Sequence, residues 1–295
     1  MLLKYDSIQE LVNAAEAAQT TLGELILKDQ AKQMELSEKE VYDRMDLSFS
    51  VMEQSVEKGY KKTLKSTSGL TGGDAYIMKE YAQTGGICGT FITTAIARAI
   101  AVSEYNAAMG KIVAAPTAGS CGIMPGCLVS LLEDKNIERD KIIKAMFTAA
   151  GFGIVIAKRA SIAGAQGGCQ AECGSAAAMT AAALVEIYGG TPTQAADACA
   201  IALKNQLGLV CDPVAGLVEI PCIKRNVAGI MIAFSSADMA LAGIVSKIPV
   251  DEVVDAMKEV GDALPCSLKE TALGGLANTP TGKKMTKQIF GVKKE

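Results

Sequence analysis

The sequence predicts an all-α fold: a single, mostly helical domain whose chemistry is concentrated in glycine-rich loops. Three observations predict it. Apolar residues make up 49% of the 295, yet aromatics are only 4% and tryptophan is absent. The apolar content is therefore mostly Ala, Ile, Leu, Val and Met, a mixture that suits closely packed helices better than a β-sandwich. Helix-start signals recur along the chain. Alternating apolar and polar runs of strand length are absent. The chain is long enough to bury a substantial core.

The elements follow in order. "SIQE" (Ser7 to Glu10), "TLGE" (Thr21 to Glu24) and "SEKE" (Ser37 to Glu40) each have the capping-box form, in which the first side chain caps the fourth residue's N–H. They predict helices near 7–19, 21–33 and 37–62. Leu36 and Val41 add a hydrophobic staple around the third. These leading helices, residues 1–62, are expected to pack on a main domain spanning 63–295. The Ala-rich blocks 88–109 and 172–188, and the run 226–246, read as core helices. Thr191 as N-cap, Pro192 at the first helical position and Gln194 at the third open a helix to about 206. A further helix starts near 250 and is expected to end at Gly261. Between the helices lie "STSGLTGGD" (66–74), "APTAGSCGIMPG" (115–126), "AGAQGGCQAECG" (163–174), "CDPVAGLVEIPC" (211–222) and "ETALGGLANTPTG" (270–282). No linker or fixed-period repeat divides the chain.

Charge and composition exclude several function classes. The net charge is −3 with both signs interspersed, so no basic stripe for nucleic acid is present. The Lys-bearing end, "GKKMTKQIFGVKKE", reads as a solvated terminus. Two long apolar runs, 227–245 and 86–109, carry Asp238, and Arg98 with Glu104, respectively. A charge at mid-bilayer costs about 2.5–3.5 kcal/mol, so both read as buried helices and no membrane contact is expected. "MLLKYDSIQE" has no apolar leader segment, and a reducing cytoplasmic location is expected. Disulfides are then disfavoured.

Nine cysteines and no histidine are the most informative counts. Without histidine the chain lacks the usual general base and the commonest zinc ligand. No cysteine pair has C-x-x-C spacing, so zinc-ribbon, thioredoxin-type and ferredoxin-type patterns are absent. Cys199, inside an Ala-rich helix, reads as a small buried hydrophobe. Cys88, Cys121, Cys127 and Cys266 flank glycine-rich loops. Cys169 and Cys173 lie where a loop enters a helix, a place that favours thiolate. The residues alone leave disulfide, packing and metal ligation open for Cys211 and Cys222. No nucleotide-binding glycine motif occurs. "GLTGGD" fits an anion-cradling loop or a tight turn equally. "AKRAS" supplies a lysine near a serine, but no phosphate loop for pyridoxal phosphate follows.

Taken together, "SGLTGGD", "APTAGSCGIMPG", "GGCQAECGSAAAM", "GLVCDPVAGLVEIPCIKRN" and "KETALGGLA" resemble the signature stretches of the iron–sulfur-dependent L-serine dehydratases. The likeness is to the α chain of the two-chain bacterial form and runs from about residue 60 to 282. It implies a catalytic domain over 63–295 that deaminates L-serine to pyruvate and ammonia. It implies a 4Fe–4S cluster held by Cys169, Cys211 and Cys222, with one iron open as a Lewis acid and a consequent sensitivity to oxygen. Cys173 falls where relatives vary and is assigned to packing beside the ligands. The resemblance also assigns a substrate loop, with Ser66, Ser68, Gly69, Thr71 and the N–H groups of Gly72 and Gly73. Thr117 and Ser120 form a second wall. Ala118 stands where many relatives have asparagine.

Two family features are missing. Single-chain relatives carry an additional histidine-bearing N-terminal domain, so a separate β chain is the expected partner in a hetero-oligomer. Some relatives end in a cysteine-bearing tail, whereas this chain ends in "FGVKKE". The general base is expected to be Lys158 or Glu172, near the Cys169 motif, or a histidine brought by the β chain. Two rival readings remain at this stage: an L-cysteine desulfidase on the same cluster, and a non-catalytic redox or scaffold protein.

Overall fold

The structure, a computed structural model, describes residues 4–291. Among them are thirteen α-helices, and the β-structure is one isolated parallel bridge between Cys211 and Lys269. The predicted fold class holds.

The first three helices are α1 (Ile8–Ala17), α2 (Leu22–Gln33) and α3 (Glu38–Gly59). Ser7 and Thr21 accept the N–H of Glu10 and Glu24, and Ser37 with Glu40 closes a full capping box. Their apolar faces, including Ile8, Leu11, Ile26, Phe49 and Met52, join the same hydrophobic core as the later helices.

At the centre lies α9 (Ser175–Ile187), packed against α6 (Ile123–Lys135), α7 (Arg139–Arg159), α10 (Pro192–Lys204) and α11 (Cys222–Leu241). Every residue of α9 except Glu186 is buried. Six of these twelve are alanines, each methyl contributing about 0.8 kcal/mol on burial. Their small size lets the neighbouring backbones approach closely, and the bulk is supplied from outside by Phe147, Phe152, Ile123 and Leu128. The charges inside the apolar run 86–109 are partnered. That run forms α5 (Gly89–Ala107), where Arg98 meets Ser130 at 2.8 Å and pairs with Glu133 and Asp134. Glu104 accepts the N–H groups of Gly73, Asp74 and Ala75 at 3.0–3.1 Å. It thereby caps α4 (Asp74–Ala82). No helix among the described residues is long and apolar enough to cross a membrane.

Two expectations are corrected and a third is refined. The run 226–246 is helical from Cys222, so that cysteine occupies the first turn of α11. Gly261 does not end its helix: α12 (Val250–Ala263) continues past it. The reason for glycine there is proximity, since a Cβ would stand 2.9 Å from the Gly167 Cα. The Lys-bearing end is solvated as expected, with Lys283, Lys284 and Lys287 exposed, but it is helical. Pro280–Phe290 forms α13, capped by the Thr279 side chain and packed on the turn Val214–Gly216. Val292–Glu295 and Met1–Leu3 lie outside the described residues. The loops 160–169 and 263–280 hold a short α8 (Gly164–Gly167) and two 3₁₀ turns.

Candidate active site

The segment after α8 enters α9 through a π-turn, Gln170–Gly174. This wide turn places Cys169, Glu172 and Cys173 at the inner end of the central helix. The Cys169 and Cys173 sulfurs lie 3.5 Å apart, within hydrogen-bond reach. All nine cysteines are free thiols, and Cys169, Cys173, Cys211 and Cys222 are buried.

Cys211 comes from the extended segment between α10 and α11. Its backbone is held on both sides: its N–H donates to the Leu268 carbonyl at 2.8 Å, and its carbonyl accepts the Glu270 N–H at 2.7 Å. Arg225, on the first turn of α11, donates to the Val210 carbonyl and to Asp212, both at 2.8 Å. Asp212 in turn accepts the Leu276 N–H at 2.7 Å. Cys222 is fixed from the other side. Asn226 donates to the carbonyls of Cys222 (2.9 Å) and Gly119 (2.8 Å) and accepts the Gly122 N–H at 2.9 Å. The "PCIKRN" stretch thus ties two glycine-rich loops to one helix end.

Glu172 joins these parts. Its Oε1 accepts the Thr117 hydroxyl at 2.7 Å, and its Oε2 lies 3.8 Å from the Cys211 sulfur. Gly164 makes room for this contact, because a Cβ there would sit 2.6 Å from the carboxylate and 2.9 Å from the sulfur. Burial raises the Glu172 carboxyl above its ordinary pKa, only partly offset by the Thr117 hydroxyl. Burial and the negative fields of Cys169 and Glu172 push the Cys222 thiol up to about 12. Burial first, then the charges of Glu172, Cys169 and Cys222, raise Cys211 as well. Arg225 is the cation whose field reaches Cys169 and Cys222. Cys169, Cys211 and Cys222 thus lie within electrostatic reach of one another, with the Glu172 carboxylate against Cys211.

The predicted substrate loop forms a second group beside the first. Ser66 and Ser68 hydroxyls stand 3.2 Å apart, and they accept the N–H groups of Thr71 (3.3 Å) and Leu70 (3.1 Å). The Thr71 hydroxyl donates to Glu219 Oε2 at 2.6 Å. Gly69, Gly72 and Gly73 all take positive φ, as the tight-turn reading requires. The Gly73 N–H is engaged by Glu104 inside the fold, which narrows the predicted set of backbone donors. Thr117 and Ser120 cap each other across a 3₁₀ turn, with their hydroxyls 3.2 Å apart. Ser68, Ala118 and Glu219 line one cleft of about 450 Å³. Thr71, Gly72, Glu219 and Pro221 line an adjacent one of about 520 Å³.

Lys158 does not join either group. It lies in the last turn of α7 and gives its ammonium to the Tyr5 carbonyl (3.1 Å) and Asp6 (3.2 Å).

The sequence profile of the family described as "Serine dehydratase alpha chain" matches residues 17–277. The chain belongs to that family. It is 49% identical over 288 residues to the probable L-serine dehydratase, alpha chain, of Bacillus subtilis, covering 97% of this chain and 96% of the relative. It is 47% identical over 286 residues to the L-serine dehydratase, alpha chain, of Peptoniphilus asaccharolyticus, covering 97% and 98%. With the probable L-serine dehydratase, alpha chain, of Latilactobacillus sakei it shares 59% identity over 197 residues, which is 67% of this chain and 94% of the relative. The likeness drawn from five loops thus extends into the leading helices.

Sequence reasoning missed the parts played by Glu219, Asn226 and Glu104. Glu219 was legible only as the one acid in an apolar loop, since its partner Thr71 is 148 residues away. Asn226 carried a signal, being four residues after Cys222 in the "PCIKRN" motif.

Proposed function

We propose that this chain is the catalytic subunit of an L-serine ammonia-lyase, acting with a separate β chain. The reaction removes the Cα proton and the 3-hydroxyl of L-serine as water. The resulting 2-aminoacrylate tautomerises to an imine, which hydrolyses to pyruvate and ammonia. The observation that carries the reading is that buried Cys169, Cys211 and Cys222 lie within one another's electrostatic reach, with Glu172 against Cys211, in a member of the serine dehydratase alpha chain family.

A 4Fe–4S cluster fits the residues present. The donors are three free, buried thiols from three segments, with no histidine in the chain. Burial raises Cys211 and Cys222, whereas the Cys173 contact lowers Cys169, and a cationic guest would take all three as thiolates. No group of three acidic or thiol side chains among the described residues is spaced for a single metal ion. A cluster engages each thiol through a different iron, so its ligands stand further apart. Bound there, it would supply a Lewis acid for the carboxylate and hydroxyl of the substrate.

The chain's own residues supply the rest. Glu172, fixed by Thr117 and with raised proton affinity, is suited to receive a proton beside the cysteines. Thr71, Ser68 and the glycine turns shape the wall of the adjoining clefts. Arg225 offsets the charge that the three thiolates would bring. The "alpha chain" designation of the relatives supports a β chain, which could complete the site.

The test is anaerobic purification with and without the β chain. Iron, sulfide and a brown colour are expected in the α chain, and pyruvate is formed from L-serine by the pair. A colourless, iron-free protein after anaerobic reconstitution would overturn the cofactor. Iron-loaded protein that turns over L-cysteine but not L-serine would overturn the substrate.

A further inference from the structure

We infer that Glu219 is the receptor for the α-ammonium group of the amino-acid substrate, an assignment that rests on the function proposed above. Glu219 is 5% exposed, in the loop that joins Cys211 to Cys222. Its Oε2 accepts the Thr71 hydroxyl at 2.6 Å. Among the described residues its other oxygen has no hydrogen-bond or ion-pair partner. That oxygen is not sealed inside the protein, since Glu219 lines both clefts beside the substrate loop.

A carboxylate this deeply withdrawn from water is costly unless a cation or several donors satisfy it. One hydroxyl supplies a hydrogen bond but no charge. Two of the nearby cations are otherwise placed. Arg225 is held by Asp212 and the Val210 carbonyl. Lys224, on the rim of the larger cleft, pairs with Asp74. Lys65 lines the same cleft but forms no ion pair with Glu219, which leaves the carboxylate open to a cation from outside, and L-serine carries one. Glu172 cannot take this part as readily, because its two oxygens face Thr117 and Cys211.

The surroundings fit the other end of an amino acid as well. Lys65 lines the same cleft as Glu219, next to Gly72, and forms no ion pair among the described residues. An ammonium on Glu219 and a carboxylate toward the glycine turn and Lys65 would orient a zwitterion along the cleft. Thr71 then positions the receptor and does not itself read the charge.

The experiment uses the anaerobically purified holoenzyme with its β chain. It compares the KM for L-serine with the Ki of 3-hydroxypropanoate, which has the same carboxylate and hydroxyl but no amine. Glu219→Gln keeps the acceptor for Thr71 and removes the charge. It should raise the L-serine KM by about tenfold to a hundredfold, the worth of a hydrogen bond to a charged group. The Ki of the amine-free analogue should stay the same or fall. Thr71→Val separates receptor from loop anchor. If the carboxylate only fixes the loop, both variants weaken L-serine and the analogue in parallel, and the inference is overturned. An unchanged L-serine KM in Glu219→Gln overturns it as well. Failure of the wild-type, cluster-loaded enzyme to deaminate L-serine defeats instead the function on which the inference rests.

Discussion

The side-chain amide of Asn226 donates to the Gly119 carbonyl at 2.8 Å, across 107 residues of sequence. The same side chain holds the Gly122 N–H and the Cys222 carbonyl, so one buried carboxamide fixes the Thr117 turn against the first turn of α11. Asn226→Ala leaves a buried N–H and a buried carbonyl unmatched. The expected loss is about 2 kcal/mol of stability. Urea unfolding should show a lower midpoint with an unchanged slope, and an unshifted midpoint would contradict the role.

The two base candidates raised by the sequence are now separable. Glu172 faces the cysteines, whereas Lys158 faces Tyr5 and Asp6. Glu172→Gln should lower kcat by about 100-fold or more while iron content stays unchanged. Lys158→Met should leave kcat close to wild type. The opposite ranking would return the proton transfer to Lys158, and full activity in both would place the base on the β chain.

Cysteine substitutions should divide cleanly. Cys169→Ser, Cys211→Ser and Cys222→Ser are each expected to abolish iron retention and colour in the anaerobic protein. Cys199→Ala, buried in α10 away from this group, should keep both and cost about 1 kcal/mol of stability. Chelation of iron from the wild type should silence it as the three serine variants do. Colour surviving in any of those three would remove that cysteine from the ligand set.

Glu104 gives a pH dependence of stability. Its carboxyl is raised above the ordinary value of 4.5, burial outweighing the three N–H groups it accepts. The folded state therefore binds the proton more tightly than the unfolded chain. That contribution is fully present below 4.5 and is lost as pH rises through the raised folded value. Glu104→Gln should flatten the stability–pH curve in this window. A wild-type curve rising there, with the mutant unchanged in shape, would reverse the sign.

Much of the fold was legible because its signals are local. The caps at Ser7, Thr21, Ser37 and Thr191 all form as their spacing demands. α6 and α7 were not foreseen, since neither starts with a side-chain cap: their N-cap positions are Gly122 and Glu138. α4 starts at Gly73, whose cap is Glu104 from another helix. In the site, Glu172 was legible as an acid beside the Cys169 motif, whereas the place of Glu219 was not. Glu172 and Glu219 are defined by Thr117 and Thr71, partners 55 and 148 residues distant. Spacing along the chain carries no trace of such pairings.

The π-turn at 170–174 separates two demands on one helix. α9 must present alanines to four neighbours, while the ligand role proposed for Cys169 asks its sulfur to face Cys211 and Cys222. In an uninterrupted helix each residue advances the direction by about 100°, so the two orientations would be locked together. The extra residue in the wide turn acts as a phase adjuster between them. Removing one residue from 170–174 would leave the alanine register of α9 intact and swing Cys169 out of alignment. The protein would then be folded, but without the three-sulfur arrangement proposed for the cluster.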